Sequence, residues 1–274
     1  MRNLAALAVV GFLLASCASS PGANTSEKQQ SSARTISYTE ALPTLVKTYF
    51  PSGDPSGWVK TTYDAAGRVV LQQTYNGNGT LIEKKTGASV GSAWRLATVN
   101  TQNNELVSYE DLTYDAQGNV LTDTFLNAKG VPQSSSVYQY NKDGVKTEWI
   151  AKTGNSGIQA RTEYLLDGQG HNVKTEVYDG ANNLLDVFTS TFSPQGQILS
   201  TKGSDASGNV IENTTYTWQG NRMVQKQSLV PFLRTWEYSY TDQNVPAAVT
   251  LSVRGKLAEK QEITYASITR TKNL

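Results

Sequence analysis

Apolar and polar residues alternate over most of this chain, in short segments separated by turn-forming sequences. Between Val173 and Tyr178, for example, Val, Thr and Val alternate with Lys, Glu and Tyr. Alternation with a period of two is typical of an antiparallel strand that buries one face and exposes the other. The segments recur about every twelve to fourteen residues, which leaves room for a strand of about eight residues and one tight turn. The pattern predicts an all-β protein.

The turns share one motif: an aromatic residue, Asp or Asn, two variable residues, Gly, one more residue and an aliphatic residue. Residues 63–69 (YDAAGRV) and 114–120 (YDAQGNV) are the clearest copies. Asp or Asn followed three residues later by Gly is typical of a type I turn closed by a left-handed glycine. In that geometry the aromatic residue pairs with the aliphatic residue and fixes the register of the hairpin. Structural turn roles are assigned to Asp64, Gly67, Asp115, Gly118, Asn141, Gly144, Asp167, Gly170, Asp205 and Gly208.

The turns also follow a regular rhythm. From Gly118 onward, alternate turns fall at Gly144, Gly170, Gly196 and Asn221, with spacings of 26, 26, 26 and 25 residues. Two strands and two turns fill that interval. We therefore predict a long antiparallel up-and-down meander of about 16–18 short strands. The same reading predicts further turns with a left-handed residue at Gly57, Gly157 and Asn221, and a turn at Leu233, where residues 230–233 (VPFL) lack a residue that accepts positive φ.

The number of strands limits the shape of the sheet. Twisted sheets rarely exceed about ten strands without curling or splitting. Three arrangements stay open: a strongly coiled sheet, a wide barrel-like wrap, or two stacked sheets. A transmembrane β-barrel would need a continuous lipid-facing apolar band on its strands. The segment Glu83–Lys85 and the pair Lys174 and Glu176 interrupt any such band, which favours a sheet in water.

The N-terminus has the parts of a secretory signal in order. Arg2 precedes an apolar run from Leu4 to Leu14, which is too short to span a bilayer. Residues 14–17 (LASC) resemble a bacterial lipobox. The resemblance implies that residues 1–16 are removed as a lipoprotein signal peptide, and that Cys17 becomes a lipidated N-terminus in the bacterial cell envelope. The alanine after Cys17 implies sorting to the outer membrane, where several acyl chains would give a stable anchor.

Two further segments follow the signal. Residues 17–35 are rich in Ser, Ala and Gln without apolar periodicity, and we predict a flexible tether there. Residues 36–274 are predicted to form a single β-repeat domain. At its start, apolar residues at helical spacing predict a short helix over residues 39–50, which would cover the first edge of the sheet.

The charge balance restricts the partners. The chain has 24 basic and 23 acidic residues; removing residues 1–16 takes away Arg2 and no acidic residue, which leaves 23 of each. A neutral chain without a basic run is a poor match for nucleic acid. The predicted membrane contact is therefore the lipid anchor alone.

Candidate catalytic and metal-binding residues are sparse. Cys17 is the only cysteine and His171 the only histidine, which excludes a disulfide within the chain, a thiolate metal cluster and a zinc site with several histidines, and leaves His171 as the sole histidine for any Ser-His-Asp triad. Most aspartates of the repeat are accounted for as turn residues, and His171 is expected as a solvated side chain beside a turn. We expect no cofactor, no metal and no enzymatic activity.

Aromatic residues alternate in the C-terminal part of the repeat, so those of one strand share a face. An exposed stripe of rings would suit glycan stacking or a protein-binding hot spot. Alternatively, the rings supply the apolar face of a sheet that is poor in Leu and Ile, and the sequence favours this core interpretation. The candidate ligand-binding residues are Tyr216, Trp218, Trp236, Tyr238 and Tyr240.

The motifs at residues 63–69 and 114–120, together with Tyr178-Asp179, resemble the YD repeats of Rhs and teneurin-type proteins. The resemblance covers about residues 54–257 and implies β-hairpins that coil into a spiralling sheet. The chain is too short to enclose a toxin, so toxin delivery is not implied. We expect a non-enzymatic envelope lipoprotein with a binding or scaffolding surface for an envelope protein or a glycan. The remaining alternative is a lipid carrier with a concave sheet.

Overall fold

The computed structural model describes residues 35–154 and 157–273. The predicted signal peptide, Cys17 and nearly all of the predicted tether lie outside these residues. The described part consists of strands and turns without a helix. The strands are β1 (Thr35–Tyr49), β2 (Pro55–Tyr63), β3 (Val69–Asn76), β4 (Leu81–Val90), β5 (Ala93–Asn100), β6 (Glu105–Tyr114), β7 (Val120–Asn127), β8 (Pro132–Tyr140), β9 (Lys146–Thr153), β10 (Gly157–Leu166), β11 (Asn172–Asp179), β12 (Leu184–Phe192), β13 (Ile198–Asp205), β14 (Val210–Gln219), β15 (Arg222–Ser228), β16 (Arg234–Tyr240), β17 (Pro246–Val253) and β18 (Lys256–Asn273).

The eighteen strands form one closed antiparallel sheet. Each strand pairs with the strands before and after it in the chain, and β1 also pairs with β18, from Thr35 opposite Asn273 to Tyr49 opposite Lys260. The predicted all-β meander with a barrel-like wrap is therefore confirmed, and the two alternatives of an open coil and stacked sheets are not realised. Closure leaves no free sheet edge, which removes the usual site of edge-to-edge association.

The Asx-Gly motif builds each regular turn with its own side chain. The Asp64 carboxylate accepts hydrogen bonds from the backbone N–H groups of Ala66 (2.9 Å) and Arg68 (2.8 Å). Gly67 has a φ of 75°, a left-handed value that glycine adopts without strain. The chain then re-enters the sheet with Tyr63 opposite Val69, across a register shift that marks a β-bulge.

The other predicted turn residues occupy equivalent positions. The Asn141 side chain accepts hydrogen bonds from the N–H groups of Asp143 and Val145 (3.0 and 2.9 Å). At Asp205, the Asn209 side chain donates to the carboxylate and, with the backbone N–H groups, lowers its pKa. Asp115 and Asp167 accept backbone bonds in the same way, and the glycines of these turns have positive φ: Gly118 (86°), Gly144 (77°), Gly170 (84°) and Gly208 (84°).

Four turns differ from the prediction. The left-handed residues are Gly53, Gly154 and Gly220, with φ of 91°, 55° and 57°, and not Gly57, Gly157 or Asn221. Gly57 and Gly157 lie in strands, because their backbones pair with neighbouring strands. Asn221 follows Gly220 in a two-residue turn between Gln219 and Arg222. Leu233 ends a turn that contains a cis peptide before Pro231 and has no left-handed residue.

The predicted helix over residues 39–50 is wrong. Those residues belong almost entirely to β1, which pairs with β18 on one side and β2 on the other. Two ladders of backbone hydrogen bonds outweigh a weak helical pattern, and they join the first strand to the last. Pro43 sits at a register shift in β1, where its missing N–H does not interrupt the ladder.

The two faces of the closed sheet differ in how deeply their side chains are buried. Paired residues share a face and faces alternate along a strand, so the register assigns every strand residue to one face. The most deeply buried side chains, apart from that of Leu126, all fall on the same face. Side chains converge on the concave face of a closed sheet, so we assign this face to the inside of the barrel. These inward side chains are Thr61, Trp94, Leu96, Thr98, Thr162, Thr214, Ser228 and Val249.

The inside of the barrel is a lumen that side chains do not fill. Eighteen strands about 4.8 Å apart, with the usual tilt, give a diameter of about 35 Å, and barrels of this strand number keep an open interior. Within the described residues only four hydrophobic side chains are buried: Trp94, Leu96, Leu126 and Val249. Phe125, an inward residue opposite Glu110, is 44% exposed. Solvent therefore reaches the inward face.

The outward face is polar and charged. Arg95 makes two contacts of 2.6 Å with Asp111, and further ion pairs lie on the same face. Each Lys or Arg placed against lipid would cost about 2–4 kcal/mol at the bilayer midplane. Removing such a face from water would therefore be costly. The other pairs are Arg161 with Glu148 and Glu163, Lys174 with Glu176, and Lys260 with Glu262.

Asp115→Ala is expected to lower the free energy of unfolding by about 1 kcal/mol, because two backbone N–H groups and the Asn119 amide lose their acceptor. Urea unfolding followed by tryptophan fluorescence measures the difference. Asp143→Ala is the matched control: Asp143 is exposed in the next turn at the same end of the barrel, and none of the described residues bonds to its side chain. Equal stability of the two variants would contradict the turn role of Asp115.

Candidate functional site

The five candidate aromatic residues all face the lumen. Tyr216 and Trp218 lie on β14, and Trp236, Tyr238 and Tyr240 on β16, with the register placing each on the inward face. All five are half-buried. The core interpretation is therefore too strong, since the rings line a solvent-filled interior and are not sealed between layers. We call these five residues the inward aromatic surface.

A cation joins the two halves of the inward aromatic surface. Lys226 of β15 lies directly between Tyr216 and Trp236 in the register, and its Nζ is 5.0 Å from the Trp236 ring centroid. Arg234 approaches the same ring with its guanidinium carbon 5.5 Å from the centroid. Cation–π contacts of this kind are worth about 0.5–2 kcal/mol. The row Tyr216, Lys226 and Trp236 thus combines apolar ring surface with hydrogen-bond donors.

Hydrogen bonds to neighbouring strands hold two of the rings in place. Trp218 donates from Nε1 to the carbonyl of Ile198 (2.8 Å), and Tyr240 donates its hydroxyl to the carbonyl of Met223 (2.7 Å). Each ring therefore lies across the adjacent strand, which limits its rotation. Aromatic side chains fixed in this way lose little entropy when a ligand packs on them.

The tyrosines of this surface remain neutral phenols. Burial, with smaller contributions from Tyr240 and Tyr216, raises the pKa of Tyr238 to about 12. Burial also raises the pKa of Tyr216 and Tyr240. Phenols with raised pKa do not serve as bases near neutral pH. They can instead donate and accept hydrogen bonds, which suits binding.

A second inward cluster was missed by the sequence analysis. Glu110 of β6 lies on the inward face 3.7 Å from Lys85 Nζ, and Asp123 of β7 lies beside it. Burial, and secondarily the charge of Glu110, raises the pKa of Asp123 to about 6. Asp123 Oδ1 and Trp149 Nε1 are buried without a hydrogen-bond partner among the described residues. A close reading of strand alternation could have placed Glu110 inward, but the position of Asp123 depends on pairing between strands.

His171 is less solvated than predicted. Its Nδ1 lies 3.0 Å from Asp167 Oδ2, and its ring stacks on Phe192 with centroids 4.7 Å apart.

In the described part of the chain, no group of three or more His, Cys, Asp or Glu side chains could hold a metal ion. The same residues contain no helix long and apolar enough to cross a bilayer. Cys17 lies outside them, so its lipidation stays a prediction.

Sequence comparisons found no relative: no protein-family model matches the chain and no curated protein matches it. By structure, it is similar to a porin-like protein from Bacteroides uniformis, with 10% identity and a TM-score of 0.45 over 82% of this chain and 96% of that one. A porin-like protein from Bacteroides vulgatus has 10% identity and a TM-score of 0.39 over 83% and 99%. The Photorhabdus luminescens Tc holotoxin pore has 9% identity and a TM-score of 0.27 over 74% and 14%.

The fold itself defines the class of protein. Residues 35–154 and 157–273 form a closed antiparallel barrel of eighteen strands with a charged exterior and an aromatic, hydroxyl-rich interior. The candidate site is the interior, because it combines concavity, restrained rings and mixed polarity.

Proposed function

We propose that this protein is a non-enzymatic lipoprotein of the bacterial cell envelope, whose barrel stands in water beside the membrane and binds a ligand in its lumen. One observation carries the proposal: the five rings of the inward aromatic surface all face one accessible concave surface. Anchoring through Cys17, sorting to the outer membrane and kinship with YD-repeat proteins are parts of the proposal that rest on the sequence motifs.

The charged outward face supports anchoring through lipid and not through the barrel wall. Pairs such as Arg95–Asp111 and Lys174–Glu176 would have to be dehydrated if strands crossed a bilayer. Acyl chains on Cys17, followed by the predicted tether, would hold such a barrel at the surface at no cost to its hydration.

Intact-mass spectrometry tests the anchor. The protein extracted from bacterial membranes with detergent is expected to lack residues 1–16 and to carry acyl chains on Cys17. Cys17→Ser is expected to lose the acyl mass completely, whereas the control Ser19→Ala should keep it. An unacylated wild-type protein would refute the anchor and leave the lumen proposal standing.

A saccharide is the ligand class that the lumen favours. Hydroxyl side chains accompany the rings on the inward face, among them Thr162, Thr201 and Thr214. Aromatic faces stack on the apolar faces of sugars while hydroxyls exchange hydrogen bonds with their rims. An acyl chain would prefer a continuous aliphatic lining, so the lipid-carrier alternative is weaker.

Tryptophan fluorescence of the detergent-purified protein, titrated with soluble peptidoglycan fragments and with maltohexaose, tests the lumen. Trp236→Ala is expected to weaken binding at least about tenfold, because a central ring of the site is lost. Tyr109→Ala is the control, since Tyr109 is a half-buried aromatic residue on the outward face. Retained binding in Trp236→Ala would contradict the lumen as the site, and co-purified lipid in native mass spectra would favour the carrier.

A further inference from the structure

The outward face contains a groove that differs from the rest of the exterior. It has a volume of about 430 Å³ and is lined by side chains of β1 and β2, at the end of the barrel opposite the Asp64 turn. Trp58 is the one tryptophan of the described residues that faces outward. The residues that line this outer groove are Leu45, Lys47, Tyr49, Pro55, Trp58 and Lys60.

Neighbouring side chains restrain the Trp58 ring. One of its faces stacks on Tyr75, with centroids 5.3 Å apart and 17° between the planes. Its edge lies over the turn at Gly79, where a Cβ would be 3.4 Å from the ring. Across the groove, Tyr49 is fixed by a hydrogen bond of 2.9 Å to Glu262. The groove is therefore an aromatic platform, half-buried and pre-organised.

Lysines surround this platform. Lys60 and Lys84 lie in the same row of paired residues on the outward face, two strands apart, so about 10 Å separates them. Gln73 lies between them, and Leu45 of β1 continues the row beyond Lys60. Lys47 lies beside Trp58 in the next row. Four lysines, with Lys260 included, lie near the carboxylate of Glu262, and a second carboxylate, that of Asp54, lies in the turn next to Pro55. None of Lys47, Lys60 and Lys84 forms an ion pair with any described residue, so the groove has an excess of positive charge.

We propose that the outer groove binds a polyanionic saccharide, with a sugar ring stacked on Trp58 and its acidic groups on Lys47, Lys60 and Lys84. Charge complementarity selects the anion, and a flat ring platform selects the sugar. A membrane surface fits less well, because insertion requires protruding rings, whereas Trp58, Tyr75 and Tyr49 lie half-buried in the sheet surface. This site is separate from the lumen and does not depend on what the lumen binds.

Isothermal titration of the lipidated protein in detergent with polygalacturonate tests the proposal, with dextran as the neutral polymer. Binding of polygalacturonate and none of dextran is expected. The double variant Lys60→Gln/Lys84→Gln should weaken binding about tenfold or more, and raised salt should weaken the wild type in parallel. Trp58→Ala should weaken binding at least tenfold through loss of stacking. Lys202→Gln is the matched control, an exposed outward lysine on β13 away from the groove.

Several results would overturn the proposal. They are equal binding of dextran, unchanged binding in the lysine double variant, and failure of the wild type to bind polygalacturonate. Flotation of the unacylated Cys17→Ser variant with phosphatidylglycerol vesicles, lost when Lys60→Gln/Lys84→Gln is added, would make the groove a membrane contact in place of a saccharide site. The lumen is titrated with maltohexaose and the groove with polygalacturonate, so failure of the lumen proposal and failure of the groove proposal give different patterns. Unfolding curves of each variant show whether the barrel is intact.

Discussion

Gly87→Ala is expected to lower the free energy of unfolding by about 3 kcal/mol. Gly87 lies on the inward face of β4 beneath Trp94, whose Nε1 donates a 2.9 Å hydrogen bond to the carbonyl of Val69. A Cβ at position 87 would lie 2.0 Å from that carbonyl oxygen and 2.7 Å from Trp94 Nε1. The backbone or the ring must move, which adds overpacking to the loss of a buried hydrogen bond.

Gly168→Ala is the matched control for this substitution. No atom lies within 4 Å of a Cβ at Gly168, and its φ is not in the left-handed region. Alanine there should be neutral or stabilising by a few tenths of a kcal/mol, because it restricts the unfolded chain. Urea unfolding at constant pH compares the two variants. If Gly87→Ala were as stable as Gly168→Ala, Trp94 could not lie across β4 as described.

Asp123→Asn is expected to raise the free energy of unfolding by about 2 kcal/mol at about pH 7.5. The carboxylate is held in the lumen wall, beside Glu110 and with one oxygen lacking a partner, and its pKa is raised to about 6. A shift of that size corresponds to about 3 kcal/mol, and partial solvation reduces it to about 2. Asparagine keeps the shape and removes the charge.

The pH dependence distinguishes this effect from simple repacking. The folded protein holds the Asp123 proton more tightly than the unfolded chain, so the stabilising effect of that proton is complete below the unfolded pKa. It is lost as the pH rises through about 6. The gain from Asp123→Asn should therefore be largest near pH 7.5 and shrink towards pH 4. Asp143→Asn, an exposed turn residue, should show no such trend. A constant gain at all pH values would attribute the effect to packing.

Much of the fold could be predicted because each hairpin is specified locally. An Asx residue, a left-handed Gly and a flanking aromatic–aliphatic pair determine the turn and the register together, as at Tyr114 opposite Val120. Closure could not be predicted, since nothing local to β1 indicates a partner more than two hundred residues away. The helix predicted at residues 39–50 is wrong for the same reason: its local periodicity is helical, but pairing with distant strands makes the segment a strand.

The candidate site was predictable only in part. Alternation placed Trp236, Tyr238 and Tyr240 on one face, but the choice between core and exposed stripe depended on curvature, which the sequence does not encode locally. The cluster of Lys85, Glu110 and Asp123 depends on the register of four strands, so no motif within one strand predicts it. The outer groove likewise needs β1 beside β2, which the predicted helix had excluded.

The pairing of β1 with β18 determines the order in which the protein folds, because the first strand cannot pair with the last until the last has been synthesised. Contacts such as Tyr49 with Lys260 join the two ends of the chain, so their formation is slow and requires the whole sequence to be present. The N-terminal strands are synthesised first, and β1 presents an open edge until the last eighteen residues of the sheet have been made and pair with it. Until β18 is in place, the open edge of β1 can pair with a wrong partner.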